Sequence, residues 1–350
     1  MARGRHPAAS AATARFVLTA RVEHVSLPGM TANGRFPAYP NGWFRVAFSN
    51  EIQPGEVRPI RYFGRDMVLL RTESGKAQVM DAFCPHLGAH LGHGGKVVGD
   101  CIQCPFHAWK FDAESGECAE IPYAEKIPPR ARVEKYETRE HSDMIMVWYD
   151  AEGRKPDWEV PVLEEVADER YTEFRSFKYD INVHIQDVIE NSCDNRHLCT
   201  VHGLVEAEPE LIDGEGLPFK VRIHSKIPMS GNAGVVDGKI DIFNYGIGIS
   251  PARVKAGPVQ YLFLATVTPV DETQVEARFH IAMKKWKDDK MTEMVFGRIL
   301  EDEAEQVARD LPIWNNKVFV DPPLLSQNDS AIAPLRKWSR RFYTAAEAAE

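Results

Sequence analysis

Residues 84–107 read CPHLGAHLGHGGKVVGDCIQCPFH, and this stretch decides how the rest of the chain is interpreted. It holds two short pairs of metal-binding residues, Cys84 with His86 and Cys104 with His107, separated by seventeen residues. Thiolate and imidazole together are ligands for zinc, or for a [2Fe–2S] cluster in which two Cys hold one iron and two His hold the other. The glycines between the pairs allow the tight loops that such a site needs.

The spacing favours the iron–sulfur cluster over zinc. In Cys-x-His followed by Cys-x-x-His, each pair can give one Cys to one iron and one His to the other. Structural zinc sites usually pair Cys with Cys or His with His in each half. A zinc site built from the same four side chains is the alternative. A Cys101-x-x-Cys104 pairing is a further alternative, but it leaves Cys84 and His86 without a role.

This stretch strongly resembles the Rieske motif, C-x-H followed by C-x-x-H. The resemblance includes the proline after each Cys and the segment PFHAW at residues 105–109. It implies a Rieske [2Fe–2S] cluster as a cofactor, with these ligands: Cys84, His86, Cys104 and His107.

Length, charge and cysteine usage limit the class of protein. A chain of 350 residues is long enough for two domains with their own cores. Its net charge of −9 argues against a nucleic-acid partner. No run of eighteen apolar residues occurs, so we expect no integral membrane segment. Six Cys without a disulfide framework predict a reducing, cytoplasmic location. Residues 1–35, rich in Ala, Arg, Ser and Thr, are expected to form a flexible N-terminal arm.

The hydrophobic pattern predicts an α+β protein of two domains. Short strands between turns, such as 43–48 and 144–149, predict an all-β Rieske domain over residues 36–155. A linker rich in proline follows at residues 156–161. Residues 162–345 mix strand runs with helical patterns, including a long helix over about 290–310. They are predicted to form a second domain of helices and antiparallel sheet.

A second set of metal-binding residues lies in residues 190–202, which read ENSCDNRHLCTVH. This segment resembles the mononuclear iron motif of Rieske oxygenases, (D/E)-x3-D-x2-H-x4-H. The resemblance implies that His197 and His202 bind Fe(II) and that Asp194 is a bridging carboxylate with a catalytic role. It also implies that residues 162–345 are the catalytic domain, which holds this mononuclear iron. The alternative is a pair of unrelated surface histidines on a polar helix.

Helix geometry adds a constraint on this segment. In one continuous helix, Glu190, Asp194 and His197 would share a face. His202 falls well off that face, so the helix is expected to end or bulge between the two histidines. The β-branched residues 200–201, followed by Gly203, make an end there plausible.

A non-haem Fe(II) site needs one carboxylate beside its two histidines. We select Asp310 because it borders the apolar stripe of the long helix beside Val307 and Trp314, and because residues 306–314 resemble the late carboxylate segment of steroid-oxidising Rieske enzymes. Pro312 is expected to end or kink this helix just after Asp310. The carboxylates considered are Glu301, Asp302, Glu303, Glu305 and Asp310.

Flanking segments resemble one branch of the Rieske oxygenases. Residues 81–92, 97–102, 121–124 and 335–343 are similar to the Neverland-type cholesterol 7-desaturases and to the 3-ketosteroid 9α-hydroxylase oxygenase components. The resemblance implies a homotrimer in which electrons pass from the cluster of one subunit to the iron of its neighbour through Asp194. Because the sequence has no dinucleotide-type G-x-G-x-x-G after a strand, a separate reductase or ferredoxin is expected.

The chain is therefore predicted to be the terminal oxygenase component of a Rieske system. It would use O2 and external electrons to hydroxylate or desaturate a steroid or sterol-like substrate. The alternatives are an oxygenase acting on an aromatic or other hydrophobic small molecule, and a Rieske electron-transfer protein. A place in the ordinary core is the favoured interpretation for each of five apolar residues that are also candidates for the pocket wall: Phe219, Ile227, Met229, Phe243 and Tyr245.

Overall fold

The computed structural model describes residues 36–37, 39–228 and 234–344. The predicted flexible arm over residues 1–35 and the pocket candidate Met229 lie outside these described residues. Within the described part, no helix is both long and apolar enough to cross a bilayer.

The N-terminal part of the described chain consists of three small antiparallel sheets. Their strand orders are β1-β10-β9, β2-β3-β4 and β5-β6-β7-β8. These strands are β1 (Gly42–Phe48), β2 (Val57–Tyr62), β3 (Arg65–Arg71), β4 (Ala77–Asp81), β5 (Lys96–Val98), β6 (Cys101–Gln103), β7 (Lys110–Asp112), β8 (Cys118–Glu120), β9 (Thr138–His141) and β10 (Met144–Tyr149).

β10 shows why a continuous apolar run can be a strand. All six of its residues are buried, because both of its faces are covered. Ile145 and Val147 on one face join a core shared with the C-terminal part. Met144 and Met146 on the other face pack into a second cluster with Trp43. The small sheets therefore pack directly against the C-terminal part of the chain.

The C-terminal part is one seven-stranded antiparallel sheet with helices packed against it. The strand order is β11-β17-β16-β15-β14-β13-β12. The strands are β11 (Arg175–Ile181), β12 (Glu206–Asp213), β13 (Phe219–Pro228), β14 (Val235–Asn244), β15 (Ile249–Ala256), β16 (Val259–Pro269) and β17 (Val275–Met283). The helices are α1 (Glu164–Ala167), α2 (Ile185–Glu190), α3 (Asn195–Thr200), α4 (Asp289–Trp314) and α5 (Ile332–Ser339). An all-β Rieske half followed by helices and antiparallel sheet confirms the predicted fold class.

A buried ion network joins the two halves. Arg45 on β1 is fully buried and pairs with Glu276 on β17, with 2.8 Å between Nη1 and Oε1. The Tyr62 hydroxyl donates a hydrogen bond of 2.9 Å to the same carboxylate. Arg278 reaches back to Glu51 at 2.6 Å. Charged groups from both halves thus pair with one another inside the molecule, although Arg45 Nη2 is buried without a hydrogen-bond partner.

The structure corrects the predicted end of the long helix. α4 continues to Trp314, one turn beyond Asp310, with Pro312 inside it. Proline removes one backbone hydrogen bond, here the bond to the carbonyl of residue 308. Only two helical residues follow Pro312, so the helix loses little by including it.

Candidate active site

Two loops of similar shape carry the four residues of the first site. The Cys84 carbonyl accepts a hydrogen bond from the Gly88 N–H at 2.9 Å, and the Cys104 carbonyl accepts one from the Ala108 N–H at 3.1 Å. Gly88 has φ of +74° and Ala108 has φ of +57°. Each Cys therefore begins a tight turn that closes four residues later in the left-handed region, which glycine adopts readily and alanine does not. The two pairs that the sequence predicts occupy equivalent positions in these turns.

The side chains of these loops fit a cluster with sulfur ligands inside and imidazole ligands outside. Cys84 and Cys104 are each 2 % exposed and belong to one buried cluster. Burial raises the pKa of the Cys84 thiol to about 11, so a thiolate here would need a positive charge, such as bound iron would supply. The rings of His86 and His107 lie 4.7 Å apart.

His86 Nδ1 is buried without a hydrogen-bond partner, as expected of an atom that awaits a metal. The His86 ring stacks on Trp109 at 4.6 Å, which holds it in place. Cys101 lies on β6, where it is opposite Asp112 of β7, and so lies outside the two equivalent turns that begin at Cys84 and Cys104. This position favours the pairing of Cys84 with Cys104 over the Cys101-x-x-Cys104 alternative.

The second segment is two short helices rather than one. α2 ends at Glu190, and Asp194 is the N-cap of α3, where its Oδ1 accepts the backbone N–H groups of Arg196 and His197. The prediction that Glu190 and Asp194 share a helix face is wrong, because the cap starts a new helix at Asp194. Glu190 instead pairs with Arg336 of α5 at 2.8 Å.

The predicted helix end between the two histidines is confirmed. α3 stops at Thr200, and Gly203 follows with φ of +76°. The chain therefore turns before His202, which brings the His202 ring to 4.9 Å from the ring of His197.

The structure brings His197, His202 and Asp310 together. One ligand atom from each lies within 4.8 Å of the other two. His202 Nε2 is 3.4 Å from Asp310 Oδ2. His197 Nδ1 is hydrogen-bonded to the backbone carbonyl of Asp194, which leaves Nε2 for a metal. Two imidazoles and one carboxylate on one side of a point are the donor set of non-haem Fe(II) sites, so these residues fit such an ion.

Asp194 occupies the boundary between this triad and the surface. Its side chain is 40 % exposed, and its Oδ2 lies 3.8 Å from His197 Nδ1. That distance is longer than a hydrogen bond. In this structure the backbone of Asp194 therefore orients the His197 ring, while one carboxylate oxygen caps α3 and the other remains accessible.

A cavity of about 1300 Å³ lies between the seven-stranded sheet and α4, and the triad lines it. Alternate residues of β16 supply one wall, because successive strand residues point to opposite faces. Apolar residues of the wall, from β13 to β17 and α4, include Ile223, Ile227, Ile240, Ile242, Val254, Phe263, Phe279, Ile299 and Val307.

Of the predicted pocket residues, Ile227 lines this cavity. Phe219 packs against Trp338 with ring centroids 5.4 Å apart. Phe243 lies beneath the guanidinium of Arg253. Tyr245 packs beside the cluster that contains Trp43.

Among the polar residues of the wall, sequence reasoning did not identify Tyr261, Gln306 or, as a wall residue, Glu303. Helical periodicity could have found two of them, since positions 303 and 306 recur on the helix face of Asp310. Tyr261 could have been found only by knowing which face of β16 points inward.

The chain combines an all-β domain that carries two Cys and His pairs with a sheet-and-helix domain that carries two histidines and one carboxylate. This combination is that of an oxygenase with two iron centres. The profile of the Rieske [2Fe-2S] domain matches residues 42–137, and that of the 3-ketosteroid 9alpha-hydroxylase C-terminal domain matches residues 147–343. The chain belongs to this family of Rieske oxygenases, whose cofactors are a Rieske [2Fe–2S] cluster and a mononuclear iron.

Relatives with known names support the same assignment. Cholesterol 7-desaturase nvd 1 of Ciona intestinalis is 33 % identical over 336 residues, covering 88 % of this chain and 69 % of the relative. The probable 3-ketosteroid-9-alpha-monooxygenase oxygenase component of Rhodococcus rhodochrous is 26 % identical over 328 residues, covering 88 % and 81 %.

Among solved structures, Pseudomonas putida CBB5 NdmA with caffeine has the same fold. Its TM-score is 0.67 at 18 % identity, with 85 % of this chain and 89 % of that chain covered.

Proposed function

We propose that this oxygenase hydroxylates or desaturates a steroid or sterol-like substrate. The observation that carries the proposal is a cavity of about 1300 Å³ with apolar walls and His197, His202 and Asp310 in its lining. Typical small-molecule sites enclose about 300–1,000 Å³, so this cavity has room for a rigid skeleton of several fused rings. The names of the Ciona and Rhodococcus relatives point to the same class of substrate.

The proposed roles of the metal-binding residues follow from their positions. Cys84, His86, Cys104 and His107 hold the cluster, and the triad holds the mononuclear iron. When bound, that iron supplies the activation of O2 that oxidation of an unactivated C–H bond requires. The apolar walls exclude water from the reacting carbon. The backbone of Asp194 fixes the ring of His197, so the open side of the triad faces the cavity.

We also propose a homotrimer in which Asp194 links neighbouring subunits. An apolar rim surrounds the two cluster histidines: Phe83, Leu87, Phe106 and Tyr123 are all at least half exposed. Such a patch indicates a protein interface. Asp194, with its accessible carboxylate, suits an interface partner that carries an imidazole N–H. Sedimentation at a mass three times the 39.5 kDa of one chain would support the trimer, and a monomeric enzyme with full activity would contradict it.

Electrons are proposed to come from a separate reductase or ferredoxin. None of the six cysteines, all of which lie in the described part of the chain, forms a disulfide, in agreement with a cytoplasmic location as part of this proposal.

Product analysis tests the proposed substrate class. The anaerobically purified enzyme is mixed with a surrogate reductase, NADH and O2, and offered sterols, 3-ketosteroids and aromatic acids in parallel. A steroid product with one oxygen gained or two hydrogens lost is expected, at a yield that matches O2 consumed. Turnover of the aromatic panel alone would replace the steroid proposal with the aromatic alternative. Reduction of the cluster without any product from any panel would favour an electron-transfer protein.

A further inference from the structure

A hydrogen-bonded polar pair, Tyr261 with Glu303, lies among the apolar residues of the cavity wall. Tyr261 belongs to the row of β16 that faces the cavity, and its hydroxyl donates a short hydrogen bond to Glu303 of α4. Neighbouring wall residues of β16 include Phe263 and Ala265. Burying a carboxylate among such apolar neighbours costs free energy unless the carboxylate is hydrogen-bonded, so Glu303 differs from a solvated surface acid. Glu305, two residues on, is solvent-exposed and pairs with Arg309.

A third polar side chain follows on the same helix face. Gln306 lines the cavity one turn after Glu303, and its Oε1 is buried without a hydrogen-bond partner. An unsatisfied buried acceptor in a native structure calls for an explanation. A ligand that brings a hydrogen-bond donor to this part of the wall supplies one.

The free hydrogen-bonding capacity of the three side chains is mainly that of acceptors. The Tyr261 hydroxyl already donates a hydrogen bond to Glu303, so its oxygen can only accept further bonds. The Glu303 carboxyl accepts that bond, and Gln306 Oε1 is a buried acceptor without a partner. The Gln306 amide nitrogen can donate. A hydroxyl matches this set because it can donate to the acceptors and accept from the amide nitrogen, whereas a ketone can only accept and leaves the acceptors unpaired.

We propose that Glu303, together with Tyr261 and Gln306, binds a hydroxyl group of the substrate, so that the enzyme selects an apolar alcohol over the corresponding ketone. This inference rests on the proposed function and narrows it to sterols that carry a free hydroxyl. These three are specificity-determining residues, and none of them is among the iron ligands.

The position of the pair also sets a distance. Glu303 and Asp310 are seven residues apart on one helix face, which is about 10 Å along the axis at about 1.5 Å per residue. A fused four-ring skeleton is of similar length. A sterol with its hydroxyl at Glu303 therefore extends along α4 toward the triad.

Equilibrium binding of three matched ligands tests the inference. Cholestanol, cholestanone and cholestane share one skeleton and carry a hydroxyl, a ketone and no oxygen. Binding to the anaerobic, metal-loaded enzyme is followed by the fluorescence of Trp286 and Trp314, which line the cavity. We expect the alcohol to bind at least about tenfold tighter than the ketone, because the ketone leaves buried acceptors without a hydrogen bond.

Variants identify the residue responsible. Glu303→Gln should reduce the preference for the alcohol to within about twofold, because an amide can donate to a ketone. Tyr261→Phe should weaken binding of the alcohol without restoring that of the ketone. Glu305→Gln on the exposed face of α4 should keep the wild-type ratio.

The possible failures are distinguishable. Equal wild-type affinity for alcohol and ketone would overturn the inference and leave the steroid proposal standing, and this result needs no variant that folds. An unchanged preference in a folded Glu303→Gln enzyme would also overturn it. Failure of all three ligands to bind would overturn both proposals.

Discussion

At the scale of single residues, the two histidines of the triad are held in different ways. The backbone carbonyl of Asp194 fixes the His197 ring through Nδ1. His202 Nδ1 is buried without a partner, and the His202 ring faces Asp310 through Nε2. Asp310 in turn accepts a long hydrogen bond of 3.4 Å from Asn191. Asp310 therefore contacts both His202 and Asn191, so it connects α4 to the segment that carries the two histidines.

Replacing Asp310 should empty the mononuclear site and leave the cluster intact. The wild-type chain should contain about three irons and two acid-labile sulfides when both centres are filled. Asp310→Ala is expected to contain about two irons and two sulfides, because the site loses its charged ligand. Glu305→Ala, on the exposed face of the same helix, is the matched control. An Asp310→Ala enzyme that retains the third iron would show that another group is the ligand.

Asp194 has two functions that one substitution can separate. Asp194→Ser keeps an N-cap for α3, since Ser caps a helix about as well as Asp. It removes the accessible carboxylate that is proposed to connect neighbouring subunits. We expect both metal centres to remain filled and product formation to fall at least about a hundredfold. Metal analysis and product yield per electron consumed measure the two effects. Normal product formation would exclude the bridging role.

At the scale of elements, the break between α2 and α3 separates two tasks. Glu190 at the end of α2 forms a buried pair with Arg336 of α5, with Nε and Nη2 at 2.8 and 2.9 Å from its two oxygens. Asp194 at the start of α3 orients His197 of the proposed iron site. The two acids, four residues apart, therefore do not share a helix face: Glu190 connects α2 to α5, and Asp194 begins α3.

Breaking this pair should cost more than replacing both partners. Arg336→Met leaves Glu190 as a buried charge without its partner, which typically costs about 3–5 kcal/mol. The double variant with Glu190→Leu should recover most of that loss. Unfolding in urea, followed by circular dichroism, measures both. Equal losses in the single and double variants would mean that packing, not charge, accounts for the effect.

Helix α4 shows which details a sequence pattern can supply. Its apolar stripe correctly predicted that Val307, Asp310 and Trp314 point inward, because all three are buried. The stripe did not predict where the helix ends, since the effect of Pro312 depends on how many turns follow it. It also did not predict the contact of Glu303 with Tyr261, which joins residues 42 positions apart.

At the scale of the whole molecule, the hydrophobic pattern anticipated the fold class, while the contacts between the halves came only from the structure. Each of the two Cys and His pairs lies within a few residues of sequence, so the sequence alone predicted them. The ion pair of Arg45 with Glu276 spans 231 positions, and no local pattern indicates it. The same holds for the core that β10 shares with the catalytic sheet.

The ion network around Glu276 should make the free energy of unfolding depend on pH. Burial alone would raise the pKa of Glu276, but the charges of Arg45, Arg278 and Lys178 outweigh it and hold the pKa well below its ordinary value. A lowered folded-state pKa gives stability that is present above the unfolded value of about 4.3 and is lost as the pH falls further.

Glu276→Gln tests this dependence. The variant should be less stable than wild type at pH 7, by about 3 kcal/mol, because Arg45 remains buried without its partner. Its stability should decline less between pH 5 and pH 3.5, since the titrating group is gone. Urea midpoints across this range, with Glu305→Gln as control, measure the difference. Parallel pH profiles for variant and wild type would contradict the assignment.

The single helix that carries both Asp310 and Glu303 has a consequence for regioselectivity. If the substrate hydroxyl is held at position 303, the carbon that reaches the iron is selected by the number of helical turns between the two acids. Moving the acid by four residues, with Ile299→Glu and Glu303→Leu, would displace the anchor by about 6 Å along the helix axis. The same sterol would then be oxidised at a different carbon. In this fold, helical register would determine which isomer is formed.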